Sequence, residues 1–382
     1  RPCTHRGIGI PVSATGALDG LVIADFGRVL AGPYATMLLA DLGAEVVKIE
    51  RPGSGDDTRA WGPPWVGEES TYFLGVNRNK SSRAIDLRTE EGLAAARELV
   101  ARADVVVENF LPATMERLGL GYEQVAKDSP GIVYCSITGF GGDNALPGYD
   151  LLIQAVGGLM SVTGPDEHTP TKVGVAMVDI VTGMHAALGI LAALRHRDRT
   201  GSGQRVEVNL LSSLLSALAN QTAGFVGAGV VPKAMGNRHP SIAPYQLFDT
   251  ADRPFVLAVG NDKQFASLCT ALEIPELASD ERFATNSARV AHRDELVRIL
   301  DKYLVTTSAD EWFDILTEAG VPCGPLNDVS DAIALAERLG LSPTVDIDDP
   351  RRSGTARHVA NPIRMSETPP TYRSAPPALG EH

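Results

Sequence analysis

Cysteine is scarce in this chain of 382 residues: Cys3, Cys135, Cys269 and Cys323 are widely spaced and form no C-x-x-C pair. That excludes a disulfide scaffold and a cysteine zinc site, and it fits reduced thiols of a cytoplasmic protein. Positive charge is also short, with 34 Lys and Arg against 47 Asp and Glu, a formal net charge of -13. A chain so acidic is not expected to offer a general surface to nucleic acid or to an anionic membrane, although local arginines can still gather a small anion. Long apolar runs are missing too. Met184–Leu194 is the most apolar stretch and falls short of the ~20 residues a bilayer span needs. The N-terminal RPCTHRGIGIPVSATG has no apolar h-region, so no signal peptide is expected.

Several catalytic motifs are absent as well. There is no G-x-S-x-G elbow, no H-E-x-x-H helix and no Walker A loop, and the eight histidines are scattered with no metal-ligand spacing. No metal site is expected. His185 follows Asp179 by six residues and reads as a core or interface histidine.

What is present is alternation. LVIADF (21–26), GPYATMLLADLG (32–43) and EVVKIE (45–50) read as strand, helix and strand. The pattern continues with SSRAIDL (81–87), a helix at 89–103, DVVVENF (104–110), a helix at 113–127 and GIVYCSI (131–137). Strands alternating with helices predict a parallel sheet covered on both faces. The length predicts two domains. A loose leader spans 1–18, a large Rossmann-like α/β domain 19–223, and a Gly/Pro-rich linker 224–245. A smaller α+β domain follows at 246–335, with helices near 263–272, 292–304 and 308–319. A Pro-rich segment, 336–382, is expected to return to the large domain.

The first crossover has the outline of a nucleotide-binding unit, with Glu50 where a ribose-binding acid would end the second strand. Its turn reads GRVLAGP rather than G-x-G-x-x-G, so a plain α/β unit describes it better than a dinucleotide site. Basic residues in ERPGSGDDTR (50–59) and NRNKSSR (77–83), with Arg88 beyond, suit either a phosphate or a solvated surface. Their position after strands of one sheet favours the phosphate.

Two carboxylates stand out. Asp179 sits where the apolar segment KVGVAMVDIVTGMHAALGILAALRHR (172–197) becomes helical, and Asp150 closes the loop PGYDLLIQA (147–155). Each is either a helix cap, ionised in the field of the helix start, or a reactive acid at the mouth of an apolar site.

The chain resembles the class III CoA-transferases, the CaiB/BaiF family that also holds formyl-CoA transferase and α-methylacyl-CoA racemase. The resemblance runs from about 19 to 330 and more weakly to 375. It rests on DFGRVLAGPYATMLLADLGAEVVKIERPGSGDDTR (25–59), NRNK (77–80), DVVVENF (104–110), SITGFG (136–141), GYD (148–150) and MVDIVTGMHAALGILAAL (177–194).

The resemblance implies an acyl-CoA and a small carboxylic acid as substrates, no tightly bound cofactor, and an interlocked homodimer. Asp179 matches the aspartate that attacks the thioester, with Tyr149 and Asp150 beside it. Arg51, Ile85, Leu87, Arg88, Asn109, Phe110 and Arg117 match coenzyme A contacts. Gly260, Asn261, Asp262, Lys263 and Gln264 match a Gly-rich active-site loop of which only Gly260 keeps the glycine.

Racemases of the family carry His before the acid of the GYD loop. Tyr149 stands there, and a phenol titrating near ~10 is a poor acid or base at neutral pH. Formyl-CoA transferases carry Gln at Leu30 and Lys at Pro147, so the formyl/oxalyl pair is not expected. Leu30 leaves room for a larger acyl group, a dicarboxylate such as succinate or a carnitine-like acid. Racemase activity, or coenzyme A binding without turnover, are the alternatives.

Overall fold

A computed structural model describes residues 16–142, 144–351 and 354–382. The expected leader therefore lies, but for its last three residues, outside the described residues, and so does Cys3. The chain divides into two compact units. The first runs through Leu159 and takes in Val173–Val230 and Ser342–His382; the second comprises Met160–Lys172 and Val231–Leu341. Residues 160–172, expected in the large domain, thus group with the second unit.

The first unit is built on β1 (Val22–Asp25), α1 (Ala31–Asp41), β2 (Glu45–Glu50), β3 (Lys80–Ala84), α2 (Glu90–Arg102), β4 (Val105–Glu108), β5 (Val133–Thr138), α3 (Asp150–Val156), α4 (Met177–Thr200), β6 (Gln204–Asn209) and α5 (Leu210–Ala217). The six strands are all parallel, in the order β3-β2-β1-β4-β5-β6. Chain progress reverses between β1 and β4, and in open sheets of this kind ligands bind beyond the strand ends at that reversal.

The period-two alternation of each strand divides the core. Ile23, Val105, Val107 and Val133 face α1 and α4, packing with Leu39, Ala186 and Ile190. Ala24, Val47, Val106 and Tyr134 face the other way, toward Ala96 and Leu99 of α2. Burial on both faces is why these strands read as nearly unbroken apolar runs.

Two expectations need correcting. The helix predicted at 113–127 is two short ones, Thr114–Arg117 and Tyr122–Asp128, because Gly119 between them takes φ of +71°. The apolar helix α4 is also longer than the run Met184–Leu194 suggested. It has 24 residues and, by length and composition alone, would reach across a bilayer. Its buried residues, among them Val178, Ala186 and Ile190, pack in the core of the unit.

The C-terminal segment opens with a hairpin, Thr344–Asp349 paired with Gly354–Val359, and then runs to α1. There Arg373 donates to the carbonyls of Ala40, Gly43 and Ala44 at 2.8–2.9 Å. These carbonyls lie at and just past the helix C-terminus, where a cation meets the dipole favourably. Asp41 takes a bidentate bond from Arg78 and further bonds from Asn79 and Asn361.

The second unit has the antiparallel strands β7 (Tyr245–Phe248), β8 (Phe255–Ala258) and β9 (Cys323–Pro325), with β8 central. Helices α6 (Asp262–Ala271), α7 (Arg293–Leu304) and α8 (Ala309–Glu318) surround a core that includes Phe265, Phe283, Leu300 and Leu316.

Arg373→Ala should lower unfolding stability by about 1–3 kcal/mol, since three carbonyls lose a charged donor. Urea denaturation measures it. A change within error would mean that water replaces the guanidinium without cost.

Candidate active site

At the reversal point the turn after β1 is held by buried charge. Gly27 N–H donates to Asp25 Oδ1 at 2.8 Å, and Lys48 Nζ reaches the Gly27 carbonyl at 2.7 Å and Asp56 at 2.9 Å. Lys80 Nζ donates to Asp25, the Pro33 carbonyl and Asn77 at 2.9–3.1 Å. Burial draws the Lys80 ammonium down to about 8, against the pull of Asp25. Val29, a β-branched residue, sits at φ of +64°, a conformation that costs of order 1–3 kcal/mol. Its N–H is held by the Asp56 carboxylate at 3.2 Å. Lysine side chains and carboxylates thus take the place of a glycine-rich phosphate turn.

This network corrects the reading of the basic motifs. Glu50 is not free for a ribose: it is buried, and it accepts from Arg59 through two bonds of 2.7 Å, from Ser82 and from the Asp56 N–H. Arg59, Arg78 and Lys80 are all committed to internal partners. They build the scaffold and are not left to bind phosphate.

Two recesses open beyond the strand ends. One, of about 260 Å³, is lined by Arg51, Ile85, Leu87 and Arg88 among others. The other, of about 390 Å³, is lined by Leu30, Asn109, Pro147, Tyr149 and Asp179 among others. Both include Arg28 and Phe110, and the Arg28 guanidinium lies over the Phe110 ring, 4.3 Å from its centre. Arg28 has no ion-pair partner among the described residues. Burial, and then the nearby Arg51, pull its guanidinium below the usual value. Two arginines at one recess, neither in an ion pair among the described residues, suit an anion. The sequence reading passed over Arg28.

The other expected contacts separate. Asn109 spends both ends of its amide on the backbone of Arg28, at 2.8 Å each, so it positions the turn. Arg88 pairs with Asp86 in the open. Arg117 is exposed, donates to Thr114 and lines neither recess. The stretch 260–264 belongs to the second unit and is no free loop. Asn261 accepts from the Gln264 N–H and Gln264 returns a bond to Gly260, a reciprocal cap that begins α6. Lys263 lies in that first turn, and Asp262 takes a bond from Arg289.

Asp179 occupies the third position of α4, whose N-cap, Ala176, has no capping side chain. The cap comes from α3: Asp150 Oδ1 accepts the N–H of Val178 at 2.7 Å and of Asp179 at 3.3 Å. Asp150 caps, and the Asp179 carboxylate has no hydrogen-bond partner among the described residues. Burial, and then the negative charge of Asp150, push Asp179 up to about 7.

Leu30, Tyr34, Tyr72 and Ile180 share an apolar cluster. The Tyr72 hydroxyl is pushed up to about 12 by burial and by the charges of Asp179, Asp150 and Asp56. The loop carrying Tyr149 and Asp150 is set by a backbone-to-backbone approach at Gly139 and Gly148. A Cβ on Gly148 would lie 2.4 Å from the Gly139 Cα, so neither position admits a side chain. Tyr149 itself is 63% exposed.

The chain matches the family model described as CoA-transferase family III over residues 18–382. It is 43% identical over 371 residues to the succinyl-CoA:glutarate CoA-transferase of Mus musculus, covering 96% of this chain and 84% of that protein. It is 40% identical over 376 residues to the acetyl-CoA:oxalate CoA-transferase of Acetobacter aceti, covering 97% and 95%. Among solved structures, a CAIB/BAIF family protein from Brucella suis superposes with a TM-score of 0.85 at 43% identity, covering 96% of this chain and 97% of that one.

The lifted Asp179 predicts a pH-dependent stability. Folding must bury a carboxylate that ionises near 3.8 when exposed and near 7 in place. Its ionised form therefore costs stability progressively from about pH 4 to pH 7, with no further loss above. Asp179→Asn should be the more stable protein at pH 8, by about 1–4 kcal/mol after screening at a partly exposed group is allowed for. The gap should close by pH 4. Thermal unfolding across that range measures it, and a constant gap would mean an ordinary carboxylate.

Proposed function

This chain belongs to CoA-transferase family III, and on that premise we propose that it moves coenzyme A between two carboxylic acids with Asp179 as the nucleophile. One observation carries the reading most: an unbonded carboxylate, titrating near 7, in a recess that shares Arg28 and Phe110 with an arginine-bearing recess next to it. An acyl-CoA would lay its phosphate end by Arg51 and Arg28. Its pantetheine arm would run past Phe110 and bring the thioester to Asp179.

The ionised Asp179 attacks the thioester carbonyl and the C–S bond breaks, leaving an aspartyl anhydride and coenzyme A thiolate. The thiolate attacks the aspartyl carbonyl and displaces the donor acid, giving an aspartyl thioester. The acceptor carboxylate attacks the aspartyl thioester, breaking its C–S bond to release the thiolate and form a second anhydride, and the thiolate then attacks the acceptor's acyl carbon and displaces the Asp179 carboxylate. Asp179 is regenerated and no net proton moves. The exchange is thereby divided into steps that each have a good leaving group, a thiolate or a carboxylate. A pKa near 7 suits the task, since the carboxylate is ionised in a useful fraction and more nucleophilic than one near 4.

A dicarboxylate substrate is the best-supported class. Relatives at 40–43% identity act on succinyl-CoA with glutarate and on acetyl-CoA with oxalate, and the Leu30 side of the recess is apolar. The function further calls for a second copy of the chain. Leu188 on α4 is 65% exposed, and the helix Asn220–Ala228 buries none of its residues and leaves Val226 83% exposed. Apolar faces of this kind mark an interface.

With succinyl-CoA and a panel of dicarboxylic acids, the protein should form new acyl-CoAs. Borohydride or hydroxylamine trapping followed by mass spectrometry should place the modification on Asp179. Transfer that survives in Asp179→Asn would sink the nucleophile assignment. Solvent deuterium entering the α-carbon of a 2-methylacyl-CoA without any transfer would favour the racemase reading instead. Light scattering should give the mass of a dimer, and Leu188→Glu together with Val226→Glu should shift it toward the monomer.

A further inference from the structure

Gln154 has no part in the chemistry above, yet it is one of the most deeply buried polar residues in the first unit, 1% exposed. Both ends of its amide are bonded. Nε2 donates to Asp150 Oδ2 at 2.6 Å, and Oε1 accepts the N–H of Val173 at 2.9 Å. The two oxygens of Asp150 are thereby divided: Oδ2 goes to Gln154 and Oδ1 to the N–H groups of Val178 and Asp179. Gln154 follows Asp150 by one turn of α3, the spacing at which helical side chains meet. Val173 begins the stretch that leads into α4. One amide therefore ties the capping acid to the approach of the helix it caps.

Resting on the reading of Asp179 as nucleophile, we propose that Gln154 is a positioning residue of the transfer reaction, holding Asp150 as an oriented anion against the start of α4 and so fixing where the Asp179 carboxylate stands. The alternative geometry for Asp150 is rotation toward solvent, to which its partly buried side chain has access. A buried donor on Oδ2 removes that freedom, and a buried amide with both ends satisfied is costly to displace. Asp179 is faced by Asp150 from α3 and by Tyr72, while Arg28 and Asp57 line the same recess. Of these, Asp150 alone bonds the turn that carries Asp179.

Two variants test it. Gln154→Met keeps the length and bulk of the side chain and removes both bonds. Gln154→Glu keeps an acceptor for Val173 and removes the donor to Asp150. In each, kcat should fall about ten-fold or more while KM for the acyl-CoA changes less than about two-fold, because misplacing a nucleophile costs rate and not binding. The pH of half-maximal kcat should also move down in Gln154→Met, by about 0.5 or more, as Asp150, released from its donor, turns toward solvent and its charge stands farther from Asp179. Unchanged kcat and unchanged pH profile in a folded variant would overturn the proposal. So would a loss of activity that only follows a loss of melting temperature, with the profile in place.

If Gln154→Met does not fold, Gln154→Glu carries the rate and KM comparison. Trapping on the unaltered enzyme separates the two levels of inference. An adduct at Asp179 with unaffected Gln154 variants removes the positioning role alone, whereas no adduct removes the nucleophile reading and this inference with it.

Discussion

The bond from the Val178 N–H to Asp150, 2.7 Å long, decides what Asp179 is able to do. A helix start leaves donors that need an acceptor, and Asp in the first turn commonly supplies one from its own side chain. Here the acceptor arrives from another helix, so the carboxylate nearest the recess is left without a structural duty. The same arrangement sets its ionisation. The capping anion that stabilises the helix stands beside Asp179 and, after burial, is the second cause holding it near 7. Capping and tuning are one contact viewed from its two ends.

Around that contact the unit spends its basic residues on architecture. A parallel sheet with a strained turn at its reversal point needs its buried carboxylates neutralised, and Lys48, Lys80, Arg59 and Arg78 do so. Breaking one such pair would leave a buried charge unmatched, at a cost of about 3–5 kcal/mol. The consequence for binding is selectivity by subtraction. Of the cations clustered in the motifs, those left facing the recesses are few, and Arg28 and Arg51 act in one place.

Much of this was legible in the chain. The alternation of strand and helix, the parallel sheet and the standing of Asp179 at a helix start all follow from local pattern, because both-face burial writes apolar runs into strands. Contacts distant in sequence were not legible. Nothing near Arg78 reveals that Asp41 will claim it, and nothing near Asn109 that its amide will serve the backbone of Arg28. The motifs were recognised as a group, while the internal bonds that claim Arg59, Arg78, Lys80 and Asn109 were not, since a buried Lys or Arg and a ligand-binding one are spelled alike. The run 260–264 opens α6 for a reason that is local: Asn at the N-cap and Gln three residues on are a helix-start signal.

Asp150 and Gln154 show where such reading has more to yield. Their spacing is visible in the chain as Asp-x-x-x-Gln, and within an isolated helix the pair would be worth only about 0.2–0.5 kcal/mol. Burial changes the magnitude. Enclosed at 1% exposure, Gln154 cannot trade a lost partner for water, so the pair becomes a fixed element of the site. Asp150 in turn reaches 28 and 29 residues onward to the start of α4. A weak local rule, placed where solvent is excluded, thereby governs a long-range one. The Asp179 carboxylate is free of hydrogen bonds because Asp150, held from both sides, caps the helix in its place.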